Sequence, residues 1–221
     1  MKINVIITGS TGMVGEGILH ECLLHPDIDK VLVINRRPCM IWHPKLTEII
    51  YDNFFNLSPV ENQLSGYDAC FYCLGITSLG IKEQEYYRIT YELTLDIAQR
   101  LVKLNPQMIF CYISGAGTTS PEKAKLMWTK VKGKTERDLL KLPFRKVYLF
   151  RPGLLRPTRG LKNVHKFYFV FTIFYPFFRL ALPKFVSTLR ELGLAMINSA
   201  TQGYEKQILE VTDIVKLSKR Q

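Results

Sequence analysis

Ile3-Asn4-Val5-Ile6-Ile7-Thr8-Gly9-Ser10-Thr11-Gly12-Met13-Val14-Gly15 decides the fold, and the amphipathic segment from Glu16 to His25 completes the pattern. The apolar run Ile3 to Ile7 reads as a buried parallel strand. A strand, a glycine-rich turn and a helix, in that order, form the phosphate cradle of a dinucleotide-binding fold. Gly9 lets the chain turn sharply, and Gly12 has no Cβ to keep a pyrophosphate from the backbone. Gly15 lets the helix pack close to the sheet. The spacing is GxxGxxG rather than GxGxxG, with the same mechanics. The helix start adds free N–H groups and a partial positive charge. Residues Thr8, Gly9, Ser10, Thr11, Gly12, Met13, Val14 and Gly15 are therefore expected to hold cofactor phosphates; the bland alternative is a glycine turn without a ligand.

Outward from this turn, strand and helix patterns alternate. Further apolar runs lie at Val31–Ile34, Ala69–Leu74, Met108–Ile113 and Val147–Phe150, with a weaker, more polar one at Leu46–Tyr51. Gln84–Leu104 reads as a helix, with Ile89, Leu93, Ile97, Leu101 and Leu104 on one face; Leu126–Leu142 is the next. Asn105-Pro106 and Pro143 end them. Alternating elements with right-handed crossovers predict an α/β, doubly wound parallel sheet of the Rossmann type. The expected organisation is a dinucleotide-binding core over 1–155 and a small substrate-side or lid region over 156–221, integrated with the core. Thr188–Ala200 reads as a helix and Gln207–Val211 as a short strand, both completing that substrate-side region.

In such folds ligands bind beyond the carboxyl ends of the strands. After the second strand stands Asn35-Arg36-Arg37, with no acid to meet ribose hydroxyls. Guanidinium groups pair with a 2′-phosphate in a bidentate way, which favours NADP(H) over NAD(H). Arg36 is the better candidate and Arg37 the second; either can be a plain surface charge. Asp52, after the third strand, can accept from adenine or cap a turn. Leu74 and Gly75 put a glycine where backbone passes a bound cofactor. Ser114 ends the fifth strand and can bond a substrate carbonyl or open a loop. On a helix further on, Trp128 and Lys132 share a face at i, i+4.

With these residues in place the chain resembles an atypical short-chain dehydrogenase/reductase. Thr8–Gly15, Leu74-Gly75, Ser114, the Trp128–Lys132 pair and Arg151-Pro152-Gly153 carry the likeness. It is most similar to the epimerase-like branch that includes the Tat-interacting oxidoreductase-like proteins. The resemblance implies bound NADP(H) or NAD(H), and carbonyl/alcohol redox or epimerase-type chemistry in active members. It assigns Pro152 and Gly153 to the cofactor side, Ser114 to the catalytic serine position and Lys132 to the lysine that also bonds the nicotinamide ribose. The family's YxxxK tyrosine, a general acid, is here Trp128. Indole has one N–H donor and no useful titration, so Trp128 can stack or donate but cannot shuttle a proton. Two expectations follow. One is an NADP(H)-dependent oxidoreductase acting on a small carbonyl or alcohol, its proton donor relocated to Tyr86, Tyr87, a water held by Ser114 or Thr118, or the substrate itself. The other is a cofactor-binding redox sensor or partner-binding regulator without turnover.

Composition adds limits. The 221 residues are 47% hydrophobic and 22% charged, enough for a substantial core. Residues 1–120 carry 9 Lys and Arg against 12 Asp and Glu, a net of −3; residues 121–221 carry 21 against 7, a net of +14. That excess favours anionic partners, and Arg156, Arg159 and Lys162 place positive charge near the substrate side. No helix-turn-helix, zinc or RNP-type pattern accompanies it, so specific nucleic-acid binding is not expected. Eight of the twelve residues Phe167–Phe178 are aromatic, flanked by Lys166 and Arg179. Twelve is short of the ~20 a membrane span needs, which leaves a partly buried lid that gives the substrate site apolar walls or an oligomer contact, or else an interfacial anchor; burial is the favoured expectation. Cys70 and Cys73 form a CxxC within a strand, pointing to opposite faces, which argues against a redox or metal role. His20, His25, His43 and His165 show no ligand spacing, so no metal is expected. The start shows no secretory leader pattern, and a cytoplasmic location is expected.

Overall fold

The computed structural model describes residues 2–164 and 167–220, with side chains described over 2–164 and 174–220. His165 and Lys166 therefore lie outside the described residues. Seven parallel strands form the main sheet in the order β3-β2-β1-β4-β5-β6-β9. They are β1 (Ile3–Thr8), β2 (Ile28–Asn35), β3 (Leu46–Ile50), β4 (Ala69–Tyr72), β5 (Ile109–Ile113), β6 (Lys146–Arg151) and β9 (Ile208–Glu210). The strand order reverses between β1 and β4, the switch point at which doubly wound folds bind ligands.

Period-2 alternation splits the core in two. Val5, Ile7, Phe71, Cys111, Tyr148 and Phe150 point to one face, where they meet Ile18, Leu19 and Cys22 of α1 (Met13–Leu24). Leu189, Leu192 and Met196 of α6 (Leu189–Thr201) and Ile214 and Leu217 of α7 (Val211–Leu217) complete that layer. Ile6, Cys70, Tyr72, Phe110 and Leu149 point to the other face, against Leu93, Ile97 and Leu101 of α3 (Leu93–Leu104) and Leu139 of α4 (Met127–Leu139). Cys70 and Cys73 do face opposite sides, but Cys73 falls just past β4. Burial pushes both thiols up, away from thiolate chemistry.

Three elements sit differently from the sequence expectation. The helical stretch before Asn105 is not uniform: α2 (Glu83–Tyr87) passes through a π-helical turn at Arg88–Glu92 before α3. The helix over 189–201 and the strand over 208–210, expected to shape the substrate side, instead cover α1 and extend the sheet beside β6. Burial decides this, since Leu192, Met196 and Leu209 are fully enclosed. What remains outside the main sheet and its covering helices is a small parallel pair, β7 (Leu154–Arg156) with β8 (Val186–Thr188), and α5 (Phe167–Ala181), which lies between them in the chain. The loop before α5 is tied down from below. The buried carboxylate of Glu16, in the first turn of α1, accepts from the backbone N–H groups of Lys162 (2.7 Å) and Asn163 (2.8 Å).

The α1–α6 layer predicts a measurable asymmetry. Leu192→Ala is expected to cost about 2–5 kcal/mol in urea unfolding, since it opens a cavity under the sheet. Leu24→Ala, at the exposed end of α1, is expected to stay within about 0.5 kcal/mol.

Candidate active site

Two clefts meet at the switch point. One, of about 480 Å³, is walled by Met13, Val14, Thr77, Thr90, Ser114 and Lys132, among others. The other, of about 250 Å³, is walled by Thr11, Ile34, Asn35, Arg36, Arg37 and Phe54. Gly12, Cys73, Leu74 and Gly75 border both, so the two form one groove from the end of β2, past the start of α1, to the ends of β5 and α4. A larger cavity of about 580 Å³ lies at the opposite edge of the sheet, beside Ile3, Asp68, Lys146 and Arg220. It faces the amino ends of the strands and has no bare helix start to hold a phosphate.

The glycine turn is built by close backbone approach. Gly9 has φ +72°, and a Cβ there would sit 2.8 Å from the Leu74 nitrogen. A Cβ on Gly15 would overlap the Gly9 carbonyl oxygen, so its absence lets the helix close on the turn itself rather than on the sheet. Gly12 caps α1 with no side-chain hydrogen bond. The first N–H groups of the helix thus have no intrahelical partner, and Met13 and Val14 border the cleft. Among the described residues no Asp or Glu lines either cleft. Bare donors, open glycine backbone, two arginines and no carboxylate fit a dinucleotide's phosphates.

Two of the turn's polar residues brace the groove instead of lining it. Thr8 is buried, and its hydroxyl accepts from the Leu74 N–H at 3.3 Å. The Ser10 hydroxyl donates to the Asn35 side chain at 2.9 Å. Asn35 in turn donates to Glu48 at 2.6 Å, and Glu48 also accepts from the Cys39 N–H at 2.8 Å. This carboxylate on β3 anchors the loop that carries Arg36 and Arg37, both exposed. Sequence reading missed Glu48; its signal was the polar character of the Leu46–Tyr51 run. Asp52 is exposed and lies outside the lining of both clefts, where Phe54 stands instead.

At the other end, Ser114 and Lys132 come together. The Lys132 ammonium donates to the backbone carbonyls of Ser114 (2.7 Å) and Ile113 (3.4 Å). An ammonium has three N–H groups, so one remains for the cleft. Burial lowers its pKa to about 8, against the opposing pull of Glu136 one helical turn on. The Ser114 and Thr118 hydroxyls are 3.2 Å apart. Trp128 is half-buried beside them, its ring over Gly115, where a Cβ would meet it at 3.5 Å. Pro152 and Gly153 border the cleft. Arg151 turns away from it into a two-pronged pair with buried Glu136, and donates to Glu210 at 3.0 Å. Neither tyrosine proposed from sequence as a proton donor lines the groove. Tyr86 is in the core, and Tyr87 packs on Tyr91 with ring centroids 4.8 Å apart. Thr90, in the π-helical turn, does line it, and nothing in the residue pattern announced that turn. Arg156 and Arg159 lie outside the groove, Arg156 stacking on the Tyr175 ring at 4.8 Å. Among the described residues no three His, Cys, Asp or Glu gather as metal ligands.

The fold is the Rossmann-type α/β fold found in solved reductases and epimerases that bind NAD. The chain is 29% identical over 162 residues to a mitochondrial fmp52-1 protein of Aspergillus oryzae, covering 71% of this chain and 67% of that one. It is also 29% identical over 161 residues to protein HTATIP2 of Rattus norvegicus, covering 69% of this chain and 62% of that one. No family model matches. Among solved structures, the PhqB reductase domain of Penicillium fellutanum superposes with a TM-score of 0.69 at 18% identity, covering 96% of this chain and 67% of that one. WbmF of Bordetella bronchiseptica, in complex with NAD+, does so with 0.65 at 15% identity, covering 98% and 76%. The mitochondrial names of the FMP52 relatives, that of Saccharomyces cerevisiae included, overturn the cytoplasmic expectation. The N-terminal pattern on which that expectation rested does not distinguish cytosol from organelle.

The Arg151–Glu136 pair yields a stability test. Glu136→Gln leaves a guanidinium poorly matched in a closed setting and is expected to cost about 3 kcal/mol in urea unfolding. Glu210→Gln, at the exposed end of the same network, is expected to cost less than about 1 kcal/mol.

Proposed function

We propose that the chain binds NADP(H) along this groove and interconverts a small carbonyl compound and its alcohol, with Lys132 as the proton source. The observation that carries the reading is the groove's polarity: two arginines at one end, a bare helix start in the middle, and a buried lysine beside a serine at the other. Arg36, with Arg37, pairs with the 2′-phosphate, and the start of α1 takes the pyrophosphate. The bound nicotinamide supplies or accepts hydride. Lys132 gives its free Nζ proton to the substrate's carbonyl oxygen, and the Ser114 hydroxyl, set by Thr118, donates a hydrogen bond to that oxygen. A pKa of about 8 leaves Lys132 protonated at neutral pH yet ready to release. Trp128, unable to titrate, lies against Gly115 beside the cleft and takes no part in the proton transfer. The names of the FMP52 relatives support a mitochondrial setting for this chain.

One observation favours a second reading. With Trp128 at the tyrosine position and two Lys132 N–H groups held by carbonyls, the same groove suits an NADP(H) sensor without turnover.

Calorimetric titration with NADPH and NADH tests the cofactor. NADPH is expected to bind preferentially, and Arg36→Ala to weaken it about tenfold or more while sparing NADH. Failure to bind either nucleotide would sink both readings. NADPH oxidation in a carbonyl screen tests the chemistry. Because the acid must be protonated, turnover is expected to be high below pH 8 and to fall as pH rises through about 8. Lys132→Met is expected to remove that activity with the protein still folded. Tight NADPH binding with no oxidation across the screen would leave the sensor reading standing.

A further inference from the structure

The α5 segment was expected to be a partly buried lid or an oligomer contact; over 174–181, where its side chains are described, it turns an apolar face outward. Phe174 is 55% exposed, Phe177 67% and Leu180 86%, and Phe185, after the helix, is 58% exposed. At ~100° per residue Phe174, Phe177 and Leu180 share one arc of the helix, while Tyr175 and Arg179 fall on the opposite side. That opposite side is fastened. Tyr175 packs on Val186, and Arg179 donates to the Val186 carbonyl (2.6 Å) and to Glu191 (2.7 Å). The outward face is thus held in place, not loosely exposed.

Charge indicates what covers it. Residues 151–200 contain eight Lys and Arg and a single acid, Glu191, which Arg179 already engages. Lys184 is exposed next to the patch, and Arg190 is 74% exposed with its nearest carboxylate, Glu21, 3.9 Å away. A second copy brought face to face would set two such basic regions against each other, with no acid free to match them. An anionic lipid surface matches both the aromatic arc and the charge. Among the described residues no helix is long and apolar enough to cross a membrane. An amphipathic helix lying in the headgroup plane, its aromatic face sunk ~5–10 Å, needs no such length.

We propose that α5 and the turn after it dock the protein on the surface of an anionic bilayer, with Phe174, Phe177, Leu180 and Phe185 inserted and Lys184 and Arg190 over the headgroups. This surface is separate from the dinucleotide groove and stands whatever the groove binds.

Flotation of the full chain with vesicles tests it, using phosphatidylcholine alone and a roughly seven-to-three mixture with phosphatidylserine. The wild type is expected to float with the mixed vesicles and to be released by high salt, as a partly electrostatic contact requires. Phe174→Ser with Phe177→Ser is expected to weaken binding at least tenfold while melting and NADPH affinity stay as in the wild type. Lys184→Glu with Arg190→Glu is expected to cost about fivefold per residue. A wild type that never floats with acidic vesicles overturns the proposal, as does a double serine variant that floats equally well. A wild type that is dimeric without lipid and becomes monomeric in the double serine variant reassigns the face to a second copy.

Discussion

The groove exists because the first turn and the end of β4 touch through bare backbone. At Gly9 the chain turns with a positive φ and lies against Cys73 and Leu74, closer than any side chain permits. The Thr8 hydroxyl accepts the Leu74 N–H across the same seam. This contact spaces the two strand ends on either side of the switch point. It also aims α1, whose own close approach at Gly15 depends on the position of the Gly9 carbonyl. Any side chain at Gly9 would push the turn off β4 and spread the cleft floor, so the glycine turn and the sheet's central pairing are one structural unit.

The parts of this architecture written in local chemistry were legible in the residues. Strand runs, the glycine turn and the α3 face each follow from a short period, and the structure keeps them. The Arg36-Arg37 placement was also legible, because position after β2 is a topological fact that the alternation supplies. What was not legible came from distance. Glu48 reaches Asn35 and Cys39 across neighbouring strands, and Asp52 misses the groove that Phe54 reaches two residues later. The π-helical turn at Arg88–Glu92 inserts Thr90 into the cleft wall with no glycine or proline to mark it. The C-terminal helix and strand were recognised as elements but assigned to the wrong neighbourhood. A short apolar run records that it is buried, not what buries it.

Lys132 belongs to a chain of charge that reaches well beyond the cleft. Glu136 lies one turn below it on α4 and grips Arg151, which also reaches Glu210 at the end of β9. Arg151 precedes the Pro152-Gly153 backbone that borders the Ser114 and Lys132 end of the groove. The last strand of the sheet is thereby coupled electrostatically to the one lysine of the cleft. Burial alone depresses that ammonium, and the nearby carboxylate restores part of its basicity. Trp128 does not titrate, yet the site still contains a group able to change protonation near neutral pH.

Glu16 gives the fold a mechanical property. Its helix start faces the groove, while its carboxylate grips the backbone of Lys162 and Asn163 on the way to α5. The same first turn therefore serves as cradle on one side and tether on the other. A phosphate that steadies this turn steadies the anchored loop as well, and strain on the loop is returned to the turn by the same two hydrogen bonds. The groove wall and the loop at Lys162 and Asn163 thus share one structural element, a single helical turn long.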